Sequence, residues 1–427
     1  MSIELVPLLL PIDQPMTLTV ENMSPGERYI VHVRSRRRDG DVSECELCAD
    51  EQGCLRVEGR YGVRGEHMLD VFPSPATDRL ARLHFYVAPQ DLYARRPLRG
   101  DFHIHSTYSD GRQPPGEMLI RGRELGLDVA VMTDHNAYHA SIEGMAERER
   151  LGLNLITMPG EEVSGPNWHI LSINADAAIY DLAMKEFGLD TPDKKERWQT
   201  TAAWEYETLL WAIGAVHKHG GRAYLAHPYW AVERGYHLPT DMYDRVLEEG
   251  ILDGVELLGD VLYSNNVRSV ARYLDFRAGG HDVPILGNSD THGTRHVYGC
   301  YWTLIWTEDL TPAGVLDAIA GGWSVACTTV EPMPVWRRRE AMHAFGSFEL
   351  VDCAYFLEEQ FYPRHDALCR EEASWAYRAW RGETLPASKM ETLKKDMETL
   401  YGRCFGSKRA FVARGSTPGC RVGTPWV

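Results

Sequence analysis

The sequence predicts an α/β protein: a closed barrel of strands and helices over residues 98–335, preceded by a β-sandwich over 1–97 and followed by a helical extension and tail over 336–427. From Leu98 onward, short apolar runs alternate with stretches of helical periodicity, the pattern of a parallel α/β architecture. Clusters of histidine and carboxylate residues sit at the ends of those apolar runs, and strand C-termini are where (β/α) barrels build their sites. Clusters on most of the strands favour a closed barrel, because an open sheet gathers ligands only around its switch point.

Residues 1–97 divide into short strands at Ser2–Leu10, Met16–Glu21, Arg28–Arg34, Asp41–Cys48, Cys54–Gly59, Glu66–Phe72 and Arg79–Val87. Pro25-Gly26, Asp39-Gly40, Gln52-Gly53 and Pro73-Ser74-Pro75 cut them apart. Strands so spaced and punctuated form sandwiches. No catalytic cluster falls here, and Arg34-Ser35-Arg36-Arg37-Arg38 reads as a solvated hairpin end.

Barrel strands are expected at 101–105, 128–133, 154–159, 169–174, 222–226, 253–258 and 283–287, with helices at 116–126, 137–150, 204–219, 240–249 and 264–278. Tyr301 to Trp306, a helix at 311–319 and a strand at 323–329 are expected to complete the barrel. The polar stretch Asp176 to Thr201 reads as a cover over the site, with a solvated helical excursion as the plain alternative. From Val335 the pattern is helical, with Trp375, Tyr377 and Trp380 among charges, and a Gly/Arg/Pro tail begins at Gly406. Packing on the barrel and a dimer contact are both open for this extension.

At 427 residues and 44% hydrophobic content the chain has the size for roughly two or three domains and the composition of a soluble globular protein. No apolar run approaches the ~20 residues of a membrane span, and Met1-Ser2-Ile3-Glu4-Leu5 lacks a secretory layout, so a cytoplasmic location is expected. A net charge of -16 argues against non-specific binding of nucleic acid. Nine cysteines, an odd number scattered from Cys45 to Cys420, do not make a disulfide framework. Cys45-Glu46-Leu47-Cys48 with Cys54 is a weak zinc signal, since it lacks a second pair.

The strongest stretch is Asp101-Phe102-His103-Ile104-His105 with Asp110 after it. Alternate strand residues share a face, so two imidazoles lie side by side while Phe102 and Ile104 turn into apolar packing. Further clusters are Thr133-Asp134-His135-Asn136, Gly160-Glu161-Glu162, Trp168-His169, Ala226-His227-Pro228 and Asn288-Ser289-Asp290-Thr291-His292-Gly293. A single strand-end histidine such as His169 is as readily a hydrogen-bonded interior residue, but burying the His103/His105 pair without a partner is costly. His103, His105, Asp110, His135, Glu162, His169, His227, Asp290 and His292 together exceed what one metal ion holds. Imidazole and carboxylate ligands without cysteine suit zinc, manganese or iron, and adjacent ions sharing a carboxylate clamp a bridging water for displacement at phosphorus or carbon.

These motifs, H-x-H with a following Asp, T-D-H-N, P-G-x-E, a lone His, A-H-P and S-D-x-H, resemble those of the PHP family, named for polymerase and histidinol phosphatase, over about Leu98 to Glu331. The resemblance implies a distorted (β/α)7 PHP barrel holding two or three divalent metal ions (Zn, Mn or Fe), and a phosphoesterase that uses a metal-bridging hydroxide. Carried over by position, it implies that His103, His105, Glu162 and Asp290 hold one ion. Glu162 then bridges to a second held by His169 and His227, and Asp110, His135 and His292 hold a third. P-G-x-E selects Glu162 over Glu161, and Asp101 and Asp134 are expected to orient imidazoles. For the chemistry, His292 or a metal-bound water is the candidate proton donor to the leaving group. Arg295 is the candidate cation for a phosphate, with Arg112 the weaker one.

The N-terminal β region, P-G-E-E-V-S and T-D-H-N are most similar to the carbaryl-hydrolase-like branch, some members of which cleave carbamates. A carbamate or carboxylic ester or amide hydrolase is therefore the alternative activity, and a non-catalytic metal-binding scaffold a second one. The expected partner is a small-molecule ester, a phosphate ester first, with no membrane involved; a homo-oligomer is compatible with the chain.

Overall fold

Alternation of buried and exposed residues builds the first layers. The computed structural model of the protein describes residues 2–406 apart from 38–39, 41, 76–77, 166, 190–204, 233–234, 261, 296 and 330–340. Its first strands are β1 (Glu4–Val6), β2 (Leu9–Pro11), β3 (Pro15–Glu21), β4 (Arg28–Ser35), β5 (Val42–Cys48), β6 (Leu55–Arg60), β7 (Gly65–Pro73) and β8 (Ala81–Ala88). They form a sheet in the order β1-β3-β6 and another in the order β2-β8-β7-β4-β5. Leu18, Val20, Leu55 and Val57 from the first share a core with Val31, Val33, Leu69, Val71 and Phe85 from the second. Leu8, Leu9, Tyr86 and Ala88 instead join the core beneath the barrel and the C-terminal helices.

A short helix α1 (Gln90–Tyr93) leads into β9 (Arg96–Ile104), after which come α2 (Pro115–Glu124), β10 (Val129–Met132), α3 (His139–Leu151), β11 (Gly160–Ser164), β12 (His169–Ile173), α4 (Ile179–Glu186), α5 (Glu205–Lys218) and β13 (Arg222–Leu225). The hairpin β14 (Ala231–Val232) and β15 (Gly235–Tyr236) precedes α6 (Thr240–Glu248), β16 (Gly254–Leu258), α7 (Tyr263–Ala278) and β17 (Ile285–Gly287). One sheet contains β11-β12-β13-β16-β17 in that order, and another pairs β10 with β9. Bridges Val129↔Ile156 and His135↔Glu162 join β10 to the β11 side, and Ile104↔Thr291 joins β9 to the chain after β17. The strands β9, β10, β11, β12, β13, β16 and β17 therefore follow one another around a distorted barrel.

Two expectations are corrected. The barrel is mixed rather than parallel, because β12 pairs antiparallel with both β11 and β13. Only residues 165–168 separate β11 from β12, and a parallel return needs about a dozen residues, so the pair must be a hairpin. The third strand runs 160–164 instead of 154–159: Ile156 makes an isolated bridge and the ladder begins at Gly160. β18 (Tyr301–Thr307) and β19 (Ser324–Thr329), linked by α8 (Pro312–Ala320), stand where the ring closes: β18 pairs antiparallel with β9 on the side away from β10, β19 and β20 (Met342–Phe345) follow in that sheet, and the Thr303 and Ser324 hydroxyls hydrogen-bond the backbone of β17.

The helices α9 (Phe348–Gln360), α10 (Tyr362–Trp380) and α11 (Ala387–Phe405) pack on the barrel, sharing one core with α2, β9 and β18. The segment read as a cover forms α4 in its first part; 190–201 and the tail beyond Gly406 lie outside the described residues. Cys45, Cys48 and Cys54 are free thiols.

Candidate metal centre

Alternation along β9 sends Phe102 and Ile104 into apolar packing and turns His103 and His105 inward together, both fully buried. Asp290, just past β17, meets them: its Oδ1 lies 3.3 Å from His103 Nε2 and 3.0 Å from His105 Nε2. Glu162 on β11 places Oε2 at 3.2 and 3.3 Å from the same two nitrogens. These four atoms are buried, and none makes a hydrogen bond with a described residue.

The tautomer of His103 explains why that arrangement needs a cation. Its Nδ1–H donates to Glu256 Oε1 at 2.9 Å, which leaves the Nε2 lone pair aimed at Glu162 and Asp290. A lone pair against two carboxylate oxygens in a dry interior is repulsive unless a cation lies among them or the ring takes a second proton. Burial opposes that proton, but Glu162, Glu256 and Asp290 nevertheless hold the His103 imidazole well above its ordinary range. The neighbouring imidazoles in turn hold Glu162 and Asp290 low against the same burial. Nitrogen and carboxylate donors of this kind fit a divalent transition metal.

The other oxygen of Glu162, Oε1, faces His169 Nδ1 at 2.8 Å and His227 Nε2 at 3.0 Å. His169 opens β12, and because that strand runs backward its first residue falls at the same end of the barrel as the C-termini of the others. Burial lowers the His169 imidazole to about 4. A third group forms where Asp110 Oδ2 lies 3.2 Å from His292 Nε2 and 3.8 Å from His135 Nε2, beside His105. His135 is raised to about 9, Glu162 and Asp110 outweighing its burial. His292 Nδ1–H donates to the Asp290 carbonyl at 2.9 Å, so its Nε2 faces Asp110. His227 and Asp290 are held at positive φ (21° and 47°), a costly conformation for side-chain-bearing residues that concentrates at functional sites.

The structure thus brings His103, His105, Asp110, His135, Glu162, His169, His227, Asp290 and His292 into one continuous cluster. Glu161 points the opposite way, where its carboxylate accepts the Ile179 N–H at 2.8 Å as α4 begins, and burial pushes it up to about 8. Arg295 and Arg112 are exposed, and the Arg112 N–H donates to the His292 carbonyl at 3.1 Å. Asp101 and Asp134 do not orient imidazoles as expected. Asp101 accepts from the N–H groups of His103 and Ser289 and from the Ser289 hydroxyl; Asp134 accepts from Ser106 and Ser109. Both fix the backbone that carries the ligands.

Two residues were not anticipated. Glu256, 1% exposed on β16, accepts from His103 Nδ1, from the His227 N–H at 2.9 Å and from Asn288 Nδ2 at 2.7 Å. A lone carboxylate inside Gly254-Val255-Glu256-Leu257-Leu258 was its sequence signal. His237, after β15, has its ring centroid 4.3 Å from that of His169, and no motif marks it.

Residues 101–261 match the PHP domain. Two curated relatives are named 5'-3' exoribonucleases: one from Salmonella typhimurium, 30% identical over 131 residues (27% of this chain, 44% of the relative), and one from Haemophilus influenzae, 36% identical over 81 residues (18% and 28%). The chain spans less than half the length of these relatives. Among solved structures, a two-domain protein from Bacteroides vulgatus containing a predicted PHP-like metal-dependent phosphoesterase is 18% identical, with TM-score 0.42 over 62% of this chain and 71% of that one. Among the described residues no helix is long and apolar enough to cross a membrane.

Proposed function

We propose that the chain is a metal-dependent hydrolase acting on phosphate esters. The observation that carries this reading is the convergence of His103 Nε2, His105 Nε2, Glu162 Oε2 and Asp290 Oδ1, all buried, with the His103 lone pair aimed at carboxylates. His103, His105, Glu162 and Asp290 would hold one ion, His169 and His227 with the second oxygen of Glu162 another, and Asp110, His135 and His292 a third. Bound ions would supply Lewis-acid polarisation and acidify water beside the ester.

The chain's own groups do the rest. Glu162 sets the spacing of the first two positions through its two oxygens. Arg295, exposed three residues after His292, is the cation assigned to the phosphate, and its planar fork suits two phosphate oxygens. His292 keeps its Nδ1 proton on the Asp290 carbonyl, which leaves the Nε2 lone pair to serve the third ion, so the proton for a leaving group would come from water acidified at the site. Division of the chain near residues 97 and 335, a cytoplasmic location and a small-molecule substrate belong to the same proposal. The names of the curated relatives add a short RNA to the substrates worth testing.

Elemental analysis of the purified protein, with assays on p-nitrophenyl phosphate, bis-p-nitrophenyl phosphate, a short RNA, p-nitrophenyl acetate and a naphthyl carbamate, tests the reading. Bound metal with phosphoester turnover is expected. Turnover of only the acetate or the carbamate would replace the phosphate reading with the ester one, bound metal without any turnover would leave a scaffold, and absence of metal after repletion would refute the ligand set.

A further inference from the structure

His237 directly follows β15, outside the strands of the barrel. The His237 N–H donates to the Trp230 carbonyl at 2.7 Å, which fixes the backbone that carries the imidazole beside the centre. Its ring centroid stands 4.3 Å from that of His169 and 6.2 Å from that of His227, and ligating nitrogens of the three lie within 4.8 Å of one another. Trp230, its ring 5.0 Å away, flanks it and keeps it against His169. Glu162 Oε1 already faces His169 and His227 at 2.8 and 3.0 Å. Three imidazoles and one carboxylate make a complete four-donor set for zinc.

We propose that His237 is a further ligand of the second ion, shared with Glu162, His169 and His227. The assignment rests on the metal-dependent reading above and adds a ligand that its motifs do not contain.

The test uses the full chain, stripped with a chelator and titrated with Zn2+ against a chromophoric competitor, with elemental analysis of the reloaded protein. Wild type, His237→Ala and His237→Gln are compared with His281→Gln, a control whose ring stacks on Phe276 beyond the end of α7. Both His237 variants should lose one equivalent or bind it at least about tenfold more weakly, while the control matches wild type. Cobalt-loaded protein gives a second readout, since loss of one imidazole must alter the visible bands of one ion even if a variant is less stable. Unchanged stoichiometry, affinity and cobalt spectrum in both variants would overturn the assignment alone. A wild-type protein that takes up no metal would overturn it together with the hydrolase reading.

Discussion

Glu162 meets His103, His105 and His135 with one oxygen and His169 and His227 with the other, so a single carboxylate connects the first two groups of ligands. Its neighbour Glu161 lies on the opposite face of β11 and caps the start of α4. Glu162→Gln should abolish turnover and strip most of the metal, whereas Glu161→Gln, which keeps an acceptor for the Ile179 N–H, should leave most of both. Equal, mild losses in elemental analysis of the two variants would refute the bridging role. Glu256 acts at one remove, through the His103 tautomer. In Glu256→Gln an amide N–H2 must replace one of two acceptor oxygens, yet three donors still point at the group. Metal affinity should fall about 10–100-fold with the fold intact, read by chelator competition. An unaltered affinity would mean that His103 holds its tautomer without that carboxylate.

Elements show why some of the site was legible in the sequence and some was not. His103 and His105 are two residues apart on one strand, and Glu161 with Glu162 are adjacent, so the period of a strand alone decides which way each points. Reversal of β12 follows from the short 165–168 connection, but that length emerges only once the strand is placed at 160–164 and not at 154–159, and apolar runs carry no direction. Glu256 could not be found this way: its partner His103 is 153 residues distant, and only the closed barrel brings them together. The start of β11 has a similar non-local cause. A Cβ at Gly160 would lie 2.5 Å from the Met132 carbonyl oxygen and 2.6 Å from a Val131 methyl, so only glycine lets β11 pass this close to β10. Gly160→Ala should therefore cost roughly 1–3 kcal/mol in urea unfolding, because a backbone oxygen cannot move aside as a side chain would. A variant as stable as wild type would show that the two strands can separate freely at that point.

Across the whole molecule, the C-terminal helices are tied to the barrel by buried charge as well as by a shared core. Arg99 of β9, wholly buried, donates to Asp366 of α10 at 2.8 and 2.9 Å and to Glu358 of α9. Arg123 of α2 donates to Glu372 of α10 at 2.9 Å and to Asp128 at 3.0 Å. Removing one partner of such a pair typically costs 3–5 kcal/mol, since the other charge stays buried. His365 of α10 stands between, with Nε2 2.9 Å from Asp128 and Nδ1 3.0 Å from Asp366. Burial works against its charge, but Asp128 prevails and raises it well above the ordinary histidine range; Asp128, also desolvated, is drawn down to about 2 by His365 and Arg123. The raised histidine contributes its full stabilisation below its unfolded value near 6.5 and loses it as pH climbs through the folded value. The depressed aspartate contributes fully above about 4 and loses its share only as pH falls through about 2. His365→Gln should therefore cost most between about pH 4 and 6.5, and the gap from wild type should narrow steadily on the alkaline side. Urea unfolding at several pH values reads this directly; a gap that stays constant to high pH would mean that His365 is neutral in the fold and that the arginines alone hold these helices.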